Sequence, residues 1–155
     1  MPKKKKAAPK LQPARAKTPV AKTSPKKIEL NAFLACDYAG RIQSEVNDTT
    51  KVSLQGIFDE VYAPSLPVLY SQFFLYLKVI GDNEQFQIEI AFTDPKGGRL
   101  VLAQGQLGIN EGRAELVLGV PNFPLLHYGK YEFDVTADGK PIGWKLPIAV
   151  LEPKG

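Results

Sequence analysis

From Ile28 onward, apolar residues recur at every second position in one segment after another. In "QFQIEIAFTD", Phe86, Ile88, Ile90 and Phe92 fall on one face, against Gln87, Glu89 and Ala91. In "KYEFDVTAD", Tyr131, Phe133 and Val135 point one way, and Lys130, Glu132 and Asp134 the other. "RAELVLGV" groups Ala114, Leu116, Leu118 and Val120, and "WKLPIAV" groups Trp144, Leu146, Ile148 and Val150. Successive side chains of a strand point to opposite faces, so period two over this many segments predicts half-buried antiparallel strands. No segment carries a sustained helical period.

The punctuation agrees with strands. "GDNE" at 81–84, "DPKGG" at 94–98, "NEG" at 110–112 and "ADGK" at 137–140 are turn texts, in which Gly and Asn supply positive φ. Asp138-Gly139 between two alternating runs signals a two-residue hairpin. The pattern predicts about eight strands, at 28–37, 50–58, 69–80, 84–93, 99–108, 112–120, 129–137 and 141–151. The stretch 59–68, "DEVYAPSLPV", contains two prolines and reads as a crossover loop with room for one helical turn. Eight short strands with regular turns predict an all-β antiparallel sandwich over residues 28–152.

"HYGKYEF" at 127–133 resembles the start of strand F in immunoglobulin-like sandwiches, whose pattern is D-x-G-x-Y-x-C. Gly129 and Tyr131 match; Phe133 replaces the cysteine and His127 the aspartate. The resemblance implies an immunoglobulin-like sandwich with a tyrosine corner, the Tyr131 hydroxyl bonding back to the preceding loop. The tryptophan usual in strand C is missing, since the single Trp is Trp144. A second resemblance rests on "LACDYAGR" at 34–41, "VSLQGIFDEVYAPSLP" at 52–67 and "YEFDVTADGKPIG" at 131–143. These are similar to an uncharacterised bacterial domain family of unknown function. That likeness implies a bacterial, cytoplasmic, single-domain protein and carries no activity.

Residues 1–27 are different text. They contain nine Lys, one Arg, five Pro, no acid and no aromatic, so the segment carries +10. The rest of the chain keeps half of the 20 basic residues and all 16 acidic ones, which leaves it at −6. A segment so poor in apolar surface is expected to be disordered, spanning roughly 30 Å root-mean-square as a coil. An acidic body argues against a nucleic-acid-binding fold surface, so phosphate affinity would lie in the tail. The candidate phosphate contacts are Lys3, Lys4, Lys5, Lys6, Lys10, Arg15, Lys17, Lys22, Lys26 and Lys27. The segment resembles the low-complexity tails of linker-histone-like proteins. A solubilising extension is the alternative.

Chemistry is sparsely encoded. Cys36 is the single cysteine, which rules out an intrachain disulfide and a cysteine-rich zinc site. It lies in phase with Ala32 and Leu34 and reads as a small core residue. His127 is the single histidine, placed where a turn into a strand is expected, so no nucleophile–base pair stands out. There is no glycine-rich phosphate loop. Asp37, Asp59, Glu60, Asp94 and Asp138 fall near strand ends, without the spacing of a calcium loop; solvated loop acids are the first reading and a calcium site the alternative. No catalytic residue, metal ligand or cofactor site is assigned. No apolar run resembles a secretory signal core or a membrane span, and a cytoplasmic protein is the expectation.

"QFFLYLKVI" at 72–80 is the most unusual apolar text. Phe73, Leu75, Leu77 and Val79 face one way. Phe74, Tyr76 and Ile80 face the other, where a sandwich strand ordinarily meets water. Either the 59–68 segment covers this second face, or Phe74, Tyr76 and Ile80 form an interface with a protein partner or a second copy. The expected function is therefore a non-catalytic interaction module. The alternative is a nucleic-acid-associated protein that binds phosphate through its tail.

Overall fold

A computed structural model describes residues 27–43, 50–82 and 84–155. The tail positions before Lys27 lie outside the described residues. The described chain forms ten strands: β1 (Glu29–Gln43), β2 (Thr50–Phe58), β3 (Glu60–Tyr62), β4 (Val68–Ile80), β5 (Gln85–Thr93), β6 (Arg99–Gly108), β7 (Arg113–Leu125), β8 (Gly129–Ala137), β9 (Lys140–Pro141) and β10 (Leu146–Leu151). The fold is an all-β, sandwich-like pair of sheets. One sheet has the order β2-β1-β4-β7. The other has the order β3-β10-β8-β5-β6, with β9 paired to β8. All pairs are antiparallel except β3–β10, which is parallel.

The alternating residues meet between the sheets. Phe73, Leu75, Leu77 and Val79 of β4, with Phe33 of β1, face Phe86, Ile88, Ile90 and Phe92 of β5, Tyr131, Phe133 and Val135 of β8, and Ile148 and Val150 of β10; all are buried. Full burial of each such side chain contributes roughly 1.5–3 kcal/mol. The centre is aromatic. The rings of Phe92 and Phe123 lie 4.7 Å apart, and those of Phe73 and Phe123 lie 5.5 Å apart edge to face, a preferred geometry for aromatic pairs.

Several expectations are corrected. The described residues form ten strands rather than about eight, because segments of two and three residues also pair. The 59–68 stretch holds β3, which lies beside β10 in the second sheet, and no helical turn. β1 runs on to Gln43 and β7 to Leu125. In β7 the pairing with β4 skips Ser71 and Asn122, and Asn122 has φ 49°. Beyond that point Tyr70 and Phe123 are partners and both pack on Phe73, so inward direction switches parity at one left-handed residue. Ala91 is buried along with Ile90, at a register shift between the two. In the 110–112 turn, positive φ is carried by Glu111 and Gly112, not Asn110. Asp138 and Gly139 have φ values of 49° and 81° and join β8 to β9 as the sequence predicts, with Ala137 opposite Lys140.

The final strand is shorter than its text. Gly143 has φ 66°, and a Cβ on it would meet the Leu30 side chain. The chain turns there, β10 starts at Leu146, and Trp144 is 47% exposed instead of joining the core.

Candidate interaction surface

The tyrosine corner implied by "HYGKYEF" forms. The Tyr131 hydroxyl accepts hydrogen bonds from the backbone amides of Leu126 (3.0 Å) and His127 (3.2 Å). Tyr128 donates its hydroxyl to the Ala63 carbonyl at 2.8 Å, tying this turn to the end of β3. His127 is a half-buried turn residue engaged through its backbone.

The second face of β4 is covered by a part of the chain that the sequence did not point to. Pairing of β1 with β4 ends at Cys36–Phe74, while pairing of β1 with β2 continues to Gln43–Thr50. A two-stranded ribbon thus leaves the sheet. Arg41 nevertheless donates from Nη2 to the main-chain oxygen of Glu115 at 3.4 Å. Glu115 lies opposite Lys78, and Lys78 opposite Ala32. Nine positions of straight strand between Ala32 and Arg41 would span about 30 Å, far beyond the reach of an arginine side chain. The ribbon therefore bends back across the outer face of β4 toward β7. An irregularity permits this: Asp37 and Gly56 do not pair, Gly56 has φ 67°, and a Cβ there would meet the Asp37 carboxylate.

Beneath the ribbon is a second, smaller apolar layer. Cys36 and Ala39 are buried without belonging to the main core. The sequence placed Cys36 in the core together with Ala32 and Leu34. These three share the outer face with Lys78, Tyr76 and Phe74, and the core-facing residues of β1 are Leu30, Phe33 and Ala35. Burial raises the Cys36 thiol pKa above its ordinary value.

The expected interface residues sit around this layer, and all three are half-buried. The Phe74 ring packs edge-on against Tyr38 at 6.0 Å and covers Gly119, its cross-strand partner. Tyr76 donates its hydroxyl to Glu115 Oε2 at 2.6 Å; burial first, and then that bond, push its pKa up to about 12. Ile80 lies at the far end of β4, opposite Arg113. Around them Tyr38, Ile42 and Ile57 are 52%, 56% and 59% exposed. By register Tyr38 and Ile42 share one face of the ribbon, while Ile57 lies before the irregularity, opposite Cys36. The expected strand at 28–37 stops short of Ile42 and of the ribbon, and alternation in "CDYAGRI" is the signal for Tyr38 and Ile42; Ile57 falls within the expected 50–58 strand, where nothing singles it out.

Four of the five carboxylates singled out in the sequence each have a hydrogen-bond donor of their own. Asp94 accepts from the amides of Lys96 and Gly98 in its own turn, and the Gly98 bond leads in holding its pKa below the ordinary value. Asp138 accepts from the Gln87 amide, Asp37 from the Tyr70 hydroxyl and Glu60 from the Tyr62 hydroxyl. Among the described residues no three His, Cys, Asp or Glu side chains come together as a metal site. Of the ten candidate phosphate-binding residues only Lys27 is described; it is exposed, and its Nζ lies 3.5 Å from Glu29. A feature absent from the sequence reading is Arg99, which reaches both Glu89 (2.9 Å) and Asp134 (3.1 Å) across three strands. Arg99 borders a groove of about 310 Å³ that also touches Trp144 and Lys145.

Fold and surface together define a two-sheet β-sandwich that carries an aromatic ridge under a bent-back ribbon. The chain belongs to a family of unknown function, DUF6941, which matches residues 31–151. No curated protein matches it. Among solved structures it is similar to the Pseudomonas fluorescens alkylpurine DNA glycosylase AlkC bound to DNA containing an abasic site analog, at 7% identity and a TM-score of 0.46. That similarity covers 79% of this chain and 30% of the glycosylase, so the chain spans less than a third of that enzyme's length. No helix among the described residues is long and apolar enough to cross a membrane.

Proposed function

We propose that this chain is a non-catalytic binding module whose body engages a protein partner through the ribbon surface. The observation that carries the reading is exposed Tyr38 and Ile42 on one face of the ribbon, beside half-buried Phe74 and Tyr76, with exposed Ile57 at the ribbon's base. Exposed apolar side chains that adjoin one another mark contact surfaces more often than isolated ones do. Aromatic anchors already held by neighbours, as Tyr38 is by Phe74, lose little freedom when a partner docks. Ile80 extends the surface along β4. The tyrosine corner supports an immunoglobulin-like relationship. A buried, unpaired Cys36 fits a reducing cytoplasm, and the motif resemblance points to a bacterial source.

A photo-crosslinking residue at Ile57 tests this in cells. One discrete adduct that disappears with Tyr38→Ser supports the surface; a smear identical to that from a probe at Lys154 rejects it.

A second reading concerns the tail, which is favoured by the charge division alone: +10 on residues 1–27 and −6 on the rest. In it, Lys3 through Lys27 engage nucleic-acid phosphates by releasing counterions, without reading sequence. The two readings are compatible, because arm and ribbon are separate parts of the chain.

A further inference from the structure

We propose that β6 is the dimerisation edge of this protein, pairing antiparallel with β6 of a second copy around Gly105. This goes beyond the ribbon surface and uses none of its residues. Among the described residues β6 is the terminal strand of its sheet, paired only with β5. A long edge with unpaired amides and carbonyls is ordinarily blunted by proline or charge. Here residues 100–110, "LVLAQGQLGIN", contain neither. By contrast β7, the edge strand of the other sheet, carries Pro121, Pro124, Arg113 and Glu115. β3, at the far edge of the β6 sheet, is three residues long.

The backbone fixes which groups of β6 are available. Ile109 donates its amide to the Glu84 carbonyl, toward β5. Backbone direction alternates along a strand, so Leu107, Gly105 and Ala103 also bond toward β5, whereas Gln104, Gln106 and Gly108 point away from it. A two-fold axis at Gly105 sets Gln104 opposite Gln106 of the second copy, and Gln106 opposite its Gln104. All four residues present outward-pointing backbone groups, so both pairs close complete hydrogen-bonded rings. The same register is favourable for side chains. Gln104 and Gln106, both exposed, form amide pairs on the outer face. On the inner face Leu107 of the second copy stands opposite Ala103. There it meets a slot of about 150 Å³ between β6 and β7, lined by Ile88, Ile90, Ala103, Gly105, Leu116 and Leu118. A Cβ on Gly105 would touch nothing within 4 Å, so the two glycines leave room at the axis. The register shift at Ile90/Ala91, opposite the 101–103 segment of β6, confines regular pairing between the copies to 103–107, the span symmetric about Gly105.

Sedimentation velocity on the full chain tests the proposal, with variants at exposed positions that leave the fold's own hydrogen bonds alone. The parent is expected to sediment as a dimer of the 17.0 kDa chain. Gln104→Lys with Gln106→Lys sets lysines opposite lysines and weakens the dimer about tenfold or more. Gln104→Glu with Gln106→Glu does the same. An equimolar mixture of the two doubly substituted chains restores a dimer. Gln104→Pro, which removes an outward amide only, gives a folded monomer by circular dichroism. A parent that stays monomeric at the highest concentration it tolerates overturns the proposal. So does a dimer that persists in both charged variants.

Discussion

Tyr76 of β4 donates its hydroxyl to Glu115 Oε2 of β7 at 2.6 Å, under the edge of the ribbon. Burial and the carboxylate together raise the tyrosine pKa from about 10 to about 12 in the folded chain. Below the unfolded value, both states keep the proton and the contribution is fully present. As pH rises from about 10 to about 12 the unfolded chain ionises first, and that stability is lost. Tyr70, raised by burial and by Asp37, acts in the same direction. Urea midpoints measured across this alkaline range should fall more gently for Tyr76→Phe than for the parent. Parallel curves would show that the Tyr76 hydroxyl is not shifted in the folded chain.

Tyr131→Phe removes the acceptor of two backbone amides and keeps the buried ring. The expected cost is about 1–3 kcal/mol in urea unfolding with an unchanged slope, because two part-buried amides lose their partner. A loss below a few tenths would mean that water replaces the hydroxyl.

Two glycines separate crowding from backbone strain. Gly97 and Gly143 have φ values of 93° and 66°, but a Cβ on Gly97 meets nothing and one on Gly143 would meet Leu30. Gly97→Ala should cost about 1–2 kcal/mol, the backbone part alone. Gly143→Ala should cost about 2–4 kcal/mol, because overpacking adds to the strain. Equal losses in thermal unfolding would contradict the packing of Leu30 under the 142–145 turn.

Phe74→Ala should loosen the ribbon without opening the sandwich. It removes the ring that contacts Tyr38 and covers Gly119. Hydrogen exchange should speed up at residues 37–43 and stay unchanged in β5 and β8. Acceleration spread evenly over all strands would contradict a separate outer layer.

How much of this was legible follows from what period two encodes. It reports which side of a strand is apolar, and so it identified Phe86–Phe92, Tyr131–Val135 and both faces of β4. It does not report what lies across from a face, and so the cover of Phe74 was sought in the 59–68 segment. That segment is β3, held in the second sheet by β10. Period two also cannot see a parity switch. Asn122 changes the face of Phe123 through a left-handed backbone, and Gly143 ends an alternating text before Trp144 can enter the core. The tyrosine corner was legible because its hydrogen bonds are local, from residues 126–127 to residue 131. The ribbon surface was not, because it depends on the Arg41–Glu115 contact across 74 positions of sequence.

We propose that arm and body are separable working parts, the arm for polyanions and the body for protein. Mobility shift of duplex DNA by the full chain, and by a chain beginning at Ile28, tests that division most directly. The full chain is expected to shift the DNA with log K falling against log salt at a slope of roughly −5, for about six cations engaged. The chain beginning at Ile28 is expected to give no shift. Equal shifts from both chains, or none from the full chain at low salt, would contradict it.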